Sequence, residues 1–472
     1  MAATRETVKR LLVALSEQSC QCPAHSHSFS RLSTSRPESR YSKLAGNQEY
    51  AFELATSTVR YGHGVTQEVG LDLANMKSKL VGVFTDENLQ KLPVMSKVIN
   101  SLTANGINYS IYSGIEIEPT EESLKKAISF ASQKTFDAFL AVGGGSVMDT
   151  AKAANLYSCH PENDFLDFVN VPIGKGLPVV NPLKPLICVP TTAGTGSETT
   201  GVVIFDYKPL KAKTGIGNRA LRPTLGLIDP EHVTTMPKNV AVFSGFDVLC
   251  HALESYTAVP FNERGEAPSN PIFRPAYQGS NPISDIWSKE ALKTIQQYFL
   301  RSVNDSDDIE ARGAMHLASM CAGIGFGNAG VHLPHGMSYP ISGLVKAYTS
   351  SGYKSTKPLV PHGLSVVISA PAVFEFTAPL CPERHLEAAA LLGMDTTNSK
   401  LEDAGRILAE AIRNYMYKTG IPNGLTALGY SSEDIPNLVR GTLPQHRVTK
   451  LSPRAFTEDQ LSILFEKSMT VY

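Results

Sequence analysis

The sequence predicts an α/β domain built on a parallel sheet, followed by an all-helical domain. Three observations lead there. From about residue 50 to 230, short β-rich runs alternate with helical segments, the rhythm of a parallel sheet covered by helices. From about 235 onward strand signals almost vanish, and apolar residues recur at helical spacing. The chain has 472 residues, too many for one hydrophobic core, so two domains are expected, at residues 46–235 and 236–472.

The elements follow in order. "KLVGVFTD" reads as a buried strand ending at Asp86, and "NLQKLPVMSKVINSLTANG" as a helix stopped by Gly106. "INYSIYSGI" is a strand. "TEESLKKAISFASQK" opens with a capping-box pattern, Thr120 and Ser123 after Pro119, and continues as a helix. "DAFLAVGGGS" is a strand running into glycines, "VMDTAKAANLYS" the next helix, and "PLICVPTTAGTGSETT" a strand leading into a polar loop. In the second half, "AVFSGFDVLCHALESYT", "SDIWSKEALKTIQQYFLRSV", "DIEARGAMHLASMCAGIGFGNAG", "PERHLEAAALLG" and "LEDAGRILAEAIRNYMYKTG" are helices. Two Pro- and Gly-rich stretches, 258–282 and 348–361, interrupt them as long irregular loops, which in compact domains tend to be functional or disordered.

Residues 1–45 differ in kind. They carry seven Lys or Arg against three Glu and no Asp, and are rich in Ser. A mitochondrial transit peptide fits this composition, and a disordered tail is the alternative; "LLVAL" is too short for a secretory signal. Seven scattered cysteines suit a reducing compartment rather than a disulfide framework. With a net charge of -1, nothing global points to nucleic acid or an acidic membrane surface, and no apolar run approaches a membrane span.

Two loops at strand ends suggest a dinucleotide. Gly143, Gly144 and Gly145 let a ligand approach the backbone, and the helix opening near Ser146 offers unpaired amides to a pyrophosphate. The G-x-G-x-x-G fingerprint is absent, so a plain tight turn explains this motif about equally well. Thr191, Thr192, Thr195 and Ser197 form a hydroxyl-rich loop at another strand's carboxyl end, where ligands of open α/β sheets bind. Asp86 stands where an acid can accept from a ribose hydroxyl, or cap a helix.

Asp247 and His251, at i and i+4, share a helix face among apolar neighbours. Such a pair arises by chance in a chain with 12 histidines, but a buried acid needs a partner. "VHLPHGMSYP" and "LVPHGLSVV" supply His335 and His362 as further candidates. One carboxylate with three imidazoles suits Fe²⁺ or Zn²⁺. His332 and His63 lack a comparable setting and read as structural or surface residues.

In this order, "AVGGGSVMDTAK", "PTTAGTGSE", "GFDVLCHALESY", "NPISD", "HGMSYP" and "PHG" resemble the iron-containing alcohol dehydrogenases over nearly all of residues 50–470. The resemblance implies the dehydroquinate synthase-like fold of that family, with metal in a cleft between a dinucleotide domain and a helical domain. It implies Asp247, His251, His335 and His362 as ligands of a divalent metal, Fe²⁺ before Zn²⁺. It places the pyrophosphate of a tightly bound NAD(H) at Gly143, Gly144, Gly145 and Ser146, with Asp149 supporting the turn. Thr191, Thr192 and Ser197 would contact the cofactor, and Lys213 falls where the family keeps a cofactor-side lysine. Family members usually carry a further histidine four residues after the third ligand, often as a proton relay; here that position is Tyr339, whose ordinary pKa is about 10.

The implied activity is hydride transfer from a hydroxyacid, 4-hydroxybutyrate, to an oxoacid, 2-oxoglutarate, in the mitochondrial matrix, by a homo-oligomer, a dimer. The rivals are a metal-dependent NAD(P)-linked alcohol dehydrogenase releasing free NADH, a non-redox enzyme on the same scaffold, and a metal-binding protein without catalysis. Acid substrates need a cation, and Arg274 in the first irregular loop is the candidate, against the plain reading of a solvated arginine.

Overall fold

The computed structural model describes residues 48–210, 212–353, 355 and 357–472. The expected transit segment at 1–45 lies outside them. Residues 48–472 form one compact unit.

The sheet is parallel throughout. Its strands are β1 (Thr58–Tyr61), β2 (Leu80–Phe84), β3 (Asn108–Tyr112), β4 (Ala138–Gly143), β5 (Leu186–Pro190) and, after a hairpin of β6 (Val202–Tyr207) and β7 (Ala212–Gly217), β8 (Leu225–Ile228). They lie in the order β1-β8-β5-β4-β2-β3. β-branched and aromatic residues favour these strands, and alternation sends their side chains to opposite faces. Val81, Val83, Leu140 and Val142 face the helices α1 (Val69–Asn75) and α2 (Pro93–Ala104). Phe84, Phe139 and Ala141 face α3 (Glu121–Ser132) and α4 (Gly145–Ser158). The sheet is thus covered on both sides. The predicted capping box closes α3: the Thr120 hydroxyl accepts from the Ser123 amide at 3.2 Å, and the Ser123 hydroxyl accepts from the Thr120 amide.

From β2 the chain moves outward to β3, whereas from β4 it moves to β5 on the other side. That reversal opens a crevice above the carboxyl ends of β2 and β4, the usual ligand position in such sheets. The sequence reading did not separate the short strands β1, β6, β7 and β8.

The second half is helical as expected. α5 (Lys238–Thr257), α6 (Pro282–Asn304) and α7 (Ile309–Ala329) pack together, with Phe246 against Phe299 in a T-shaped pair. α8 (Leu333–Gly343), α9 (His362–Val367), α10 (Ala370–Thr377), α11 (Pro382–Leu391), α12 (Ala404–Thr419), α13 (Ile435–Thr442), α14 (His446–Thr449) and α15 (Glu458–Lys467) follow. Each apolar side chain fully buried here stabilises the fold by about 1.5–3 kcal/mol. No helix among the described residues is long and apolar enough to cross a membrane.

Candidate active site

α5 is buried over almost its whole second half, and three polar side chains share one of its faces: Asp247, His251 and Glu254, at i, i+4 and i+7. α8 brings His335 to that face, and α9 brings His362 as its first residue. Gly363 makes the second approach feasible. A Cβ there would stand 1.9 Å from the Phe243 carbonyl oxygen, so only glycine lets α9 lie against α5.

The result is a convergence on one oxygen. Asp247 Oδ1 lies 3.7 Å from the Nε2 atoms of His251, His335 and His362 alike. The ligand atoms of Asp247, His335 and His362 are all within 4.8 Å of one another. Asp247 Oδ1 and His335 Nε2 are buried and have no hydrogen-bond partner among the described residues. Unpaired buried polar atoms cost about 1–3 kcal/mol each, so they call for a missing partner. A divalent transition metal with bonds of about 2.0–2.2 Å fits among one carboxylate and three imidazoles.

The electrostatics agree. Burial pushes the Asp247 carboxyl up, but the surrounding imidazoles outweigh it and hold the group down at about 2. Burial drives His251 down to about 4 despite Asp247, which leaves a neutral imidazole able to donate a lone pair. Its ring stacks on Phe326, centroids 3.9 Å apart. His335 moves the other way: burial lowers it, yet Glu254 and Asp247 raise it to about 9. Glu254 also fixes its tautomer. Glu254 Oε2 accepts from His335 Nδ1, and Oε1 accepts from the backbone amides of His332 and His335 at 2.9 and 3.1 Å. Nε2 is therefore the nitrogen turned to Asp247, and a bound cation would take the place of the proton that the raised pKa puts there.

Two cavities flank this cluster. One, of about 430 Å³, follows the sheet crevice and is lined by Asp86, Gly144, Gly145, Ser146, Thr191 and Thr192, reaching Asp247 and His362. Helix α4 opens there with Gly144 as an N-cap that makes no side-chain bond, so its amides face the groove. The Gly143 carbonyl accepts from the Thr191 amide, tying the two loops together. Asp86 Oδ1 accepts from the Asn88 and Leu89 amides, the capping role, while its other oxygen has no bond among the described residues. The second, the metal-side cavity of about 110 Å³, lies between the two halves, with Gly145, Ser146 and Ser197 on one wall and His251, His335, Tyr339, Tyr277 and Arg447 on the other.

Residues 56–230 match the profile of the iron-containing alcohol dehydrogenases, and residues 276–469 that of the C-terminal part of the Fe-containing family. The chain belongs to the iron-containing alcohol dehydrogenase family. It is 59% identical over its full length, and over 100% of the relative, to a protein of Xenopus laevis named mitochondrial hydroxyacid-oxoacid transhydrogenase. It is 57% identical, again over all of both chains, to the Homo sapiens protein of that name. Among solved structures, an alcohol dehydrogenase from Oenococcus oeni superimposes with a TM-score of 0.76 at 25% identity, covering 89% of this chain and 100% of that one.

Family membership brings a divalent metal and a nicotinamide cofactor, and the donors and the groove described above fit both. Several residues stand elsewhere than the sequence suggested. Ser197 lines the metal-side cavity rather than the groove. Its hydroxyl donates to Asp149 Oδ1 and accepts from Lys152, both at 2.6 Å, so it is already committed. Asp149 also accepts from the Ile204 amide, and thus ties α4 to the Thr/Ser loop and to β6. Lys213 does not line the groove. It is buried, and pairs with Glu118 at 2.5 Å and Asp206 at 3.0 Å. Glu118 in turn lines both cavities and sits at φ 53, a backbone region uncommon for non-glycine residues and often found at working sites.

The carboxylate-binding assignment of Arg274 is corrected. Its guanidinium forks onto the buried Glu49 at 2.9 and 3.1 Å and lines neither cavity. Arg274 shares Glu49 with Arg264, and the cluster holds the segment around Glu49 on the 258–282 loop, away from both cavities. Tyr339 is buried on the cavity wall, and its oxygen accepts from Arg447 Nη2 at 2.7 Å. Glu254, Glu118 and Arg447 were missed from sequence. Only Glu254 had a signal, its place seven residues after Asp247 on one helix face.

Proposed function

We propose that the protein is a mitochondrial hydroxyacid-oxoacid transhydrogenase, oxidising 4-hydroxybutyrate to succinate semialdehyde and reducing 2-oxoglutarate to 2-hydroxyglutarate. The observation that carries this is 57–59% identity, end to end, to vertebrate proteins bearing that name. The convergence of Asp247, His251, His335 and His362 beside a dinucleotide-sized groove supports it. Fe²⁺ is the favoured occupant, Zn²⁺ being served by the same donors.

When bound, the metal draws charge from the substrate oxygen and the nicotinamide carries hydride between the two acids. The chain supplies position. Glu254 keeps His335 in the tautomer whose Nε2 faces Asp247. The α4 amides would hold the pyrophosphate, with Thr191 and Thr192 bordering it, and the free oxygen of Asp86 would accept from a ribose hydroxyl. Tyr339 spends its oxygen on Arg447 and keeps its own proton for exchange with the substrate hydroxyl. In this reading NAD(H) stays bound between the two half-reactions.

The test uses 4-hydroxybutyrate dideuterated at C4, 2-oxoglutarate, and an excess of unlabelled NADH in solution. Deuterium arriving undiluted in 2-hydroxyglutarate is the expected result. Unlabelled product, with deuterium in the free NADH pool, would replace this reading by an NAD(P)-linked alcohol dehydrogenase.

A further inference from the structure

Arg447 stands on the wall of the metal-side cavity with no acid within ion-pair distance among the described residues. It comes from the one-turn helix α14, which is pressed against α8: a Cβ on Gly336 would meet Thr449 Cγ2 at 2.5 Å. Its Nη2 donates to the Tyr339 hydroxyl, and its guanidinium lies 5.1 Å from the centre of the Tyr277 ring. Its Nη1 is buried and has no hydrogen-bond partner among the described residues. Arg222 also has buried, unbonded nitrogens, but it donates to the Gly327 carbonyl and Asn328 and lines neither cavity. Other sheltered cations are provided for. Arg274 has Glu49, Lys213 has Glu118 and Asp206, and Arg312 donates to the carbonyls of Ser302, Val233 and Met236. A desolvated guanidinium lacking an anion is costly, and here the residue lines the cavity that also holds His251 and His335.

We infer that Arg447 binds the substrate carboxylate, and that this one arginine serves both the donor and the acceptor acid. The inference rests on the substrates proposed above. In 4-hydroxybutyrate, two methylenes separate the carbon bearing the hydroxyl from the carboxylate. In 2-oxoglutarate, two methylenes separate the keto carbon from the distal carboxylate. A cation at a fixed distance from the metal ligands therefore delivers either reacting carbon to the same place. The distance is fixed by Tyr339, which holds Arg447 and lies one helical turn beyond His335 on α8. The guanidinium fork suits a carboxylate in a bidentate pair, so acids one methylene shorter or longer are poorer substrates.

The experiment compares wild type with Arg447→Met and Arg447→Lys, each retaining its metal and cofactor. Butyrate, a redox-inert acid, is titrated by calorimetry, and kcat/KM is measured for 4-hydroxybutyrate, 2-oxoglutarate and butan-1-ol. In Arg447→Met, butyrate affinity falls about tenfold or more, and kcat/KM for both acids falls about 100-fold relative to that for butan-1-ol. Arg447→Lys, which keeps the charge without the fork, falls between and carries the test if the methionine variant does not fold. Unchanged butyrate affinity, an effect on only one acid, or an equal loss for butan-1-ol would overturn the assignment. The butyrate titration needs no hydride transfer, so it separates this inference from the transhydrogenase reading: an enzyme that binds butyrate through Arg447 yet releases NADH contradicts only the latter.

Discussion

The Nδ1–H of His335 is donated to Glu254, seven residues beyond Asp247 on the same helix, so α5 supplies both a candidate metal ligand and the group that orients another. Glu254 also gathers two backbone amides of the segment leading into α8. Replacing it by Gln removes the charge that holds the imidazole and leaves its amide to compete for the same donors. Metal affinity in Glu254→Gln is expected to drop about 10–100-fold, read by titration against a competing chelator. Wild-type affinity would mean that Glu254 only fills space.

The Arg274–Glu49 pair makes the opposite kind of prediction. Arg274→Leu leaves the buried Glu49 with Arg264 alone, at 3.2 Å. It should cost about 2 kcal/mol of stability, since some charge compensation remains. Discrimination between 4-hydroxybutyrate and butan-1-ol should be untouched. Denaturant melts and paired kcat/KM values test the two halves, and a selective loss of acid turnover would restore Arg274 to the substrate site.

How much of this was legible in the sequence follows from what local pattern encodes. The Asp247–His251 pair and the glycine turn at 143–145 are local, and periodicity or spacing reveals them. The long helices were legible for the same reason. The hairpin β6–β7 was not, because the turn between its two six-residue strands carries no Asn-Gly or Asp-Gly signal. The pairing of Arg274 with Glu49, 225 residues apart, is a matter of tertiary contact, as is the lack of an acid beside Arg447 among the described residues. A charge without a partner looks the same in sequence as one with a partner.

Glu198 gives the fold a pH dependence. Burial, outweighing its own amide and Lys152, raises its carboxyl from 4.5 to about 7. Between those values the folded state binds more protons than the unfolded one, so stability falls as pH rises from about 4.5 to 7 and then levels off. The loss is about 3 kcal/mol. Glu198→Gln removes the titration. The variant should match wild type near pH 4.5 and exceed it by about that amount at pH 8, measured by chemical denaturation at both. A difference independent of pH would refute this source.

The most direct test of the whole account is metal content by mass spectrometry on protein purified without added metal, for wild type and Asp247→Ala, with circular dichroism confirming the fold. The account predicts about one divalent transition-metal ion per wild-type chain and below about a tenth of that in the variant, because all three imidazoles face Asp247 Oδ1 at 3.7 Å. Equal metal in the two proteins, or none in a wild type that still transfers hydride between the acids, would contradict it.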